Sequence, residues 1–294
     1  MSRTIRVGSR ESKLAVIQSE MVIDAIRAYD SSIDIQLVTM KTTGDKILDR
    51  TLDKVGGKGL FVKELDRALL AGEVDLTVHS MKDLPAQLDE RLPLIAVSSR
   101  ETPYDVLVLP EGCTAWDTTK PVGCASARRA VQIKKLYPDI AVKPVRGNLQ
   151  TRLRKLDNGE YGALILAQAG LHRLGLEERI HHIFTPEEIL PSACQGILAV
   201  QATKGFDIDI LTKFHDADAW DCAMAERAFI RALDGGCSSP VASFAQLVDM
   251  NTIKLTGLYV TEDRMHSSVK TMICPRTDSA AYAAELALRM KNEG

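Results

Sequence analysis

The sequence predicts an α/β protein: two similar α/β lobes around a cleft, followed by a small C-terminal α+β domain. Three observations predict it. Strand-like and helix-like stretches alternate through the first two-thirds of the 294 residues, the signature of a parallel or mixed sheet covered on both faces. The pattern restarts after Pro110, so two such units follow one another. From about Asp216 the order becomes a helix, grouped strands and a closing helix, as in an α+β unit. The expected division is residues 1–99 with 193–214, residues 100–192, and residues 215–294.

In the first unit Ile5-Arg6-Val7 is a short strand, and Ser12 can cap a helix with Leu14, Ala15, Ile17, Val22 and Ile26 on one face. Residues 35–40 form a strand. Residues 41–57 are polar, glycine-bearing and too long for a tight turn, so a mobile lid is expected there. A helix over 59–70 and a buried strand over 74–78 come next, and strands over 94–97 and 106–109 follow before Pro110. In the second, Pro121-Val122-Gly123-Cys124 is a strand, and Ser126 can cap a helix over 127–136. A strand over 140–145, a helix capped by Asn148 and a buried strand over 163–167 follow. Residues 190–202 read as one strand returning across the cleft. The third unit has a helix over 221–233, strands over 241–247, 253–259 and 268–273, and a helix over 279–290.

A composition of 45% hydrophobic and 26% charged residues is ordinary for a globular chain. The net charge of -2 gives no global field toward nucleic acid or an anionic membrane. No apolar run approaches the roughly 20 residues of a membrane span, and the N-terminus lacks a signal-peptide pattern. A cytoplasmic protein without nucleic-acid or membrane partners is expected. The six cysteines at 113, 124, 194, 222, 237 and 274 include no Cys-x-x-Cys pair and no histidine at metal spacing. That argues against a disulfide framework and against a metal site. The pair His181-His182 fits surface or sheet filler.

Ligands bind open α/β sheets beyond the carboxyl ends of the strands, and the charges expected there share one sign. Arg10 follows the first strand, Lys54 and Lys58 flank a glycine loop, and Lys82 follows the 74–78 strand. Arg128 and Arg129 open a helix, Arg146 follows a strand, and Arg152 lies early in the next helix. Cations near a helix N-terminus oppose the macrodipole, so their gathering suits a ligand with several carboxylates or phosphates. Among them Asp83 is the one acid on a strand-end turn, placed to stabilise a developing positive charge or accept an N–H bond. Elsewhere, Leu233-Asp234-Gly235-Gly236-Cys237-Ser238-Ser239-Pro240 puts one thiol after two glycines that clear space beside it.

Five motifs stand in one order along the chain: Val55-Gly56-Gly57-Lys58-Gly59-Leu60-Phe61-Val62-Lys63-Glu64, His79-Ser80-Met81-Lys82-Asp83-Leu84-Pro85, Arg146-Gly147-Asn148 with Thr151-Arg152, Lys155-Leu156-Asp157-Asn158-Gly159-Glu160-Tyr161, and Gly235-Gly236-Cys237. Together they resemble the porphobilinogen deaminase (hydroxymethylbilane synthase) family over essentially the whole chain. The resemblance implies a transferase of tetrapyrrole (heme) biosynthesis. Such an enzyme joins four porphobilinogen molecules head to tail into hydroxymethylbilane and releases an ammonia with each. It implies a dipyrromethane cofactor, held by a thioether to Cys237, as the primer. Asp83 would hold pyrrole N–H groups and stabilise the cationic azafulvene formed on deamination. Arg10, Ser12, Lys82, Ser126, Arg128, Arg129, Arg146, Arg152 and Arg173 match positions that bind acetate and propionate groups. Lys54 and Lys58 match positions facing the growing chain, Phe61 one that packs on a pyrrole ring, and Gln195 a cleft position. A monomer is implied, with transient hand-over of product to the next pathway enzyme. The chain departs from the family pattern at Cys124, Ala125, Gln150, Cys194 and Ser239.

Two α/β lobes around a cleft also describe periplasmic-binding-protein-like solute receptors. A non-catalytic carboxylate-binding protein is therefore the competing reading, and it leaves Cys237 unexplained. A cysteine-nucleophile hydrolase needs a base near the thiol, and no motif links His215 or His266 to it.

Overall fold

The computed structural model describes residues 4–46, 59, 61–234, 240–261, 263–264 and 266–293. Its first sheet is built on β1 (Thr4–Arg10), where Ile5 and Val7 enter the core, with β2 (Asp34–Met40) and β3 (Leu76–Ser80) parallel on either side. Helix α1 (Lys13–Tyr29) makes the crossover from β1 to β2. The Ser12 hydroxyl accepts from the Ala15 N–H at 3.3 Å and caps it, and Val22, Ile23 and Ile26 face the sheet. Short helix α2 (Thr43–Lys46) and helix α3 (Lys63–Leu70) lie between β2 and β3. β4 (Leu94–Val97) and β10 (Leu198–Ala202) complete the order β2-β1-β3-β10-β4, with β10 antiparallel to both neighbours.

The second sheet repeats this plan. β6 (Val122–Gly123) is parallel to β7 (Val142–Lys143) and β8 (Ala163–Ala167); β5 (Asp105–Val108) is antiparallel to β8 and to β9 (Ile180–Ile183). The order is β7-β6-β8-β5-β9, with α4 (Ala127–Leu136), α5 (Leu149–Asp157) and α6 (Gln168–His172) in the connections. In each sheet the fourth strand arrives from the other lobe: β5 follows β4, and β10 follows β9. Two connecting segments, 98–104 and 184–197, therefore cross between the lobes side by side.

The third unit is an antiparallel meander of β11 (Ala242–Leu247), β12 (Thr252–Val260) and β13 (Ser267–Pro275). Helices α7 (Ala217–Ala232) and α8 (Ser279–Glu293) cover it around Phe229, Leu255, Ala283 and Leu286. Among the described residues, no helix is long and apolar enough to cross a membrane.

Several local expectations are corrected. The strand expected over 190–202 is confined to Leu198–Ala202, because Cys194 (φ 60) and Gly196 (φ 91) turn the chain into the left-handed region. A Cβ at Gly196 would collide with the Glu101 carbonyl, so the two crossing segments can lie this close only with glycine there. The helix expected from residue 59 starts at Lys63, since Gly59 (φ 79) opens a turn. The helix expected from 221 starts at Ala217, where the Asp216 carboxylate accepts from the Ala219 N–H at 2.8 Å. Ser126 occupies the N-cap position of α4, yet its hydroxyl makes no capping bond. β9, the His181-His182 strand, had no clear alternating pattern to mark it.

Candidate active site

A cavity of about 610 Å³ opens between the two lobes, beyond the carboxyl ends of β1, β3 and β8. Its wall holds Arg10, Ser12, Phe61, Lys82, Asp83, Ser126, Arg128, Arg129, Arg146, Arg152, Arg173 and Gln195, every sequence-selected site residue the structure describes. Lys54, Lys58 and Cys237 lie outside the described residues, as does 47–57 of the expected lid. The near end of that lid is anchored: the Thr43 N–H and hydroxyl both donate to Glu64 Oε1, at 3.0 and 2.5 Å. Eight Lys and Arg side chains line the cavity against two acids, Glu11 and Asp83. In a chain of net charge -2, that excess makes this an anion site by local placement and not by bulk charge.

Asp83 sits where β3 ends in a single 3₁₀ turn, Met81–Asp83. The turn is tied at its start by the Met81 N–H to Ile197 O (2.9 Å) and closed by the Leu84 N–H to Met81 O (3.2 Å). Met81 and Leu84 are buried beneath it, so packing fixes which side chains are left facing the cavity. Lys82, the neighbour, donates from Nζ to Gln195 Oε1 at 3.1 Å. Burial, followed by the repulsion of Arg129, lowers the Lys82 ammonium to about 8. Behind the turn, burial and Arg10 push His79 down to about 3; this neutral ring hydrogen-bonds Thr77 at 2.9 Å.

The second lobe contributes two arginines that are not waiting for a ligand. Asp105, fully buried at the start of β5, takes Arg128 Nη1 at 2.7 Å, and Arg129 Nη2 and Nε at 2.6 and 2.9 Å. Burial opposes its ionisation, but the two guanidinium groups outweigh burial and hold the carboxyl well below the usual carboxylate range. Arg128 also donates to Leu190 O (2.6 Å) and Arg129 to Ile165 O (3.2 Å). Gln195 links this cluster to the first lobe, donating to Pro103 O (2.6 Å) and Asp105 (2.9 Å) while accepting from Lys82.

Arg152 is held by Gly147 O at 2.8 Å, on a helix whose Asn148 cap accepts from the Thr151 N–H at 2.9 Å. Burial, then Arg129 nearby, lowers Arg152 to about 10. Arg173 donates to Gly196 O at 2.6 Å, and its Nε is buried without a hydrogen-bond partner among the described residues. The Arg10 guanidinium lies 4.4 Å above the Phe61 ring.

Three participants escaped sequence reasoning. Asp105 opens an apolar strand and carried no mark beyond its position. Glu226, with no exposed surface, pairs with Arg100 at 2.8 Å and accepts from the Cys194 and Ala245 N–H groups. It thereby joins a crossing segment to the third unit. Its signal was available: a charge at helical spacing between Cys222 and Phe229 on an apolar face. Arg227 is the third.

Comparison with known proteins covers nearly the whole chain. The description "Porphobilinogen deaminase, dipyromethane cofactor binding domain" matches residues 5–209, and "Porphobilinogen deaminase, C-terminal domain" matches 220–292. Proteins named porphobilinogen deaminase from Acetivibrio thermocellus and Alkaliphilus oremlandii are each 59% identical, over 287 and 290 residues, covering 97% and 98% of this chain and 97% of each relative. That of Ruminiclostridium cellulolyticum is 51% identical over 290 residues, covering 99% of this chain and 98% of the relative. Among solved structures, the Bordetella pertussis BvgS periplasmic VFT2 domain overlaps 71% of this chain and 86% of its own, with TM-score 0.43 and 16% identity. The probable amino-acid transporter binding protein ytmK of Bacillus subtilis overlaps 72% and 91%, with TM-score 0.43 and 17% identity. Two domain descriptions in register and relatives matched end to end place the chain in the porphobilinogen deaminase family.

Proposed function

We propose that this chain links four porphobilinogen molecules head to tail into hydroxymethylbilane, releasing ammonia at each addition, on a dipyrromethane primer bonded to Cys237. The observation that carries the proposal is the Asp83 carboxylate, set on the strand-end turn of an inter-lobe cavity where eight cations outnumber two acids. When bound, the primer supplies a nucleophilic pyrrole carbon at the free end of the chain. The wall fits such a group: eight cations surround the space its carboxylates would take, Arg173 Nε is a buried donor without a partner among the described residues, and about 610 Å³ lies within the usual range of ligand pockets.

The residues divide the work. Arg10, Lys82, Arg146, Arg152 and Arg173 bind acetate and propionate side chains, while Ser12 and Ser126 offer hydroxyls. Arg128 and Arg129, already paired with Asp105, supply a rigid positive wall. Asp83 accepts pyrrole N–H bonds and faces the positive charge that develops on the substrate as ammonia leaves, a preorganised electrostatic contact. Phe61 offers a ring face. Lys54 and Lys58 are assigned to the growing chain by their match to the family pattern. Three units, 1–99 with 193–214, 100–192 and 215–294, are supported by three separate sheets. A monomer in the cytoplasm completes the proposal.

Intact mass tests it. The holoprotein should exceed its sequence mass by two deaminated porphobilinogen units, mapped to Cys237, and Cys237→Ser should lack both adduct and activity. Active protein with unmodified Cys237 would overturn it.

A further inference from the structure

Helix α7 reaches the catalytic turn from the third unit. Its first half packs Ala219 and Ala223 against Met81, Leu84 and Val62, directly beneath the turn that carries Asp83. One helical turn further along, Arg227 extends a guanidinium to the outgoing side of that turn. Its Nη2 donates to Pro85 O at 2.7 Å and to Ala86 O at 3.1 Å. A terminal guanidinium nitrogen has two N–H groups, so each carbonyl can receive its own.

These carbonyls need a partner. Pro85 has no N–H and interrupts local backbone pairing as the chain leaves the turn, yet the partly buried carbonyls must still be satisfied. The turn is thus held at both ends: at Met81 by Ile197 O of a crossing segment, and at Pro85 and Ala86 by Arg227. Asp83 lies between the clamps, two residues from each. The preceding residue of α7, Glu226, holds the other crossing segment through Arg100. The same helix ends at Ala232, five residues before Cys237 in the chain.

We infer that Arg227 is a positioning residue for the reaction: it sets the Asp83 carboxylate by clamping the turn's exit, and so ties the catalytic turn to the helix that leads to the cofactor-bearing cysteine. It touches neither substrate nor cofactor in this role. The inference rests on Asp83 acting as proposed above. Misplacing a catalytic group by about 1 Å can cost on the order of 10²-fold in rate. Arg227→Gln should therefore lower kcat about 10- to 100-fold with KM changed less than about threefold. Arg227→Lys, which keeps the charge but not the fork, should fall between.

The test combines kinetics with two readouts that need no turnover. Intact mass should show Arg227→Gln still carrying the adduct. Hydrogen exchange should show faster exchange of the peptide spanning 81–88, whose protected amides include Met81 and Leu84. In the double variant Asp83→Asn/Arg227→Gln, the second change should cost less than about twofold beyond the first, since a positioning residue has nothing left to position. Full multiplication of the two losses, or wild-type kcat in both Arg227→Gln and Arg227→Lys, overturns the inference. If Arg227→Gln does not fold, Arg227→Lys in the same cycle decides by the same criteria. Should Asp83→Asn alone keep its rate, the assignment of Asp83 fails, while the exchange of 81–88 still reports on the clamp.

Discussion

At the scale of single residues, the proposed roles separate a group for chemistry from groups for binding. On the proposed reading, Asp83→Asn removes the negative charge facing the cation that develops on the substrate as ammonia leaves, and leaves the cationic wall in place. It should lower kcat by about 10²–10³ with little change in KM, read by single-turnover kinetics on protein shown by mass to carry cofactor. Near wild-type turnover would discard the assignment. Lys82 makes a pH prediction. Its ammonium is lowered to about 8, so the charge is present below that pH and lost above it. Carboxylate binding to the free site should weaken as pH rises through about 8, and kcat/KM, which reports the free enzyme, should show a falling limb there. A bound carboxylate raises the pKa again, so the limb in kcat should lie higher. The stability sign is opposite. Between about 8 and the unfolded lysine value near ~10.4, the unfolded chain holds more protons, and stability contributed by this group rises with pH. A pH-independent kcat/KM from 7 to 9.5 would remove Lys82 from the binding set.

At the scale of elements, the start of helix α4 is set by an ion cluster more than by a cap. Ser126 makes no capping bond, and Arg128 and Arg129 stand unfavourably near the N-terminal end of the dipole. Asp105 from the adjoining strand offsets that and fixes the helix against β5. Asp105→Asn would leave two buried guanidinium groups facing a neutral amide. Removing one partner of a buried cluster costs about 3–5 kcal/mol, which corresponds to roughly 6–20 °C in a chain of this size. Thermal unfolding within about 2 °C of wild type would show that Asp105 is not what anchors the pair. Asn148 presents the contrast, since there an ordinary side-chain cap suffices.

At the scale of the molecule, two lobes with the same strand plan face each other across cations drawn from both. Such a wall repels itself until an anion enters, so the covalently held cofactor should also act as a structural counter-ion bridging the lobes. Cofactor-free Cys237→Ala protein should unfold several degrees below the holoprotein at low ionic strength, in line with linkage. The gap should narrow toward 0.5 M salt as charges are screened. Equal midpoints for the two forms at low salt would contradict it. Both crossing segments are held by groups from the third unit or the cavity wall: Glu226 on Arg100 and Cys194, Arg173 on Gly196. Movement between lobes would have to pass through these bonds.

What the sequence determined by itself was local or motif-borne. Apolar spacing marked most strands and helices, because period 2 or 3.6 is written within a few adjacent residues. The capping roles of Ser12 and Asn148 were legible for the same reason, as were the five ordered motifs that pointed to the family. Clustering of the cations followed from a general rule about strand ends, and the cavity gathers every described residue so chosen. The tertiary structure alone decided which charges meet. Asp105 and Arg129 are 24 residues apart, Arg100 and Glu226 126, and Arg227 and Pro85 142. No periodicity spans such distances; their pairing depends on which strands neighbour each other and on where the chain crosses between lobes. The early end of the 190–202 strand has the same origin. Its residues are apolar enough for a strand, but the close pass of the Glu101 carbonyl beside Gly196 requires a left-handed turn that only the folded crossing imposes.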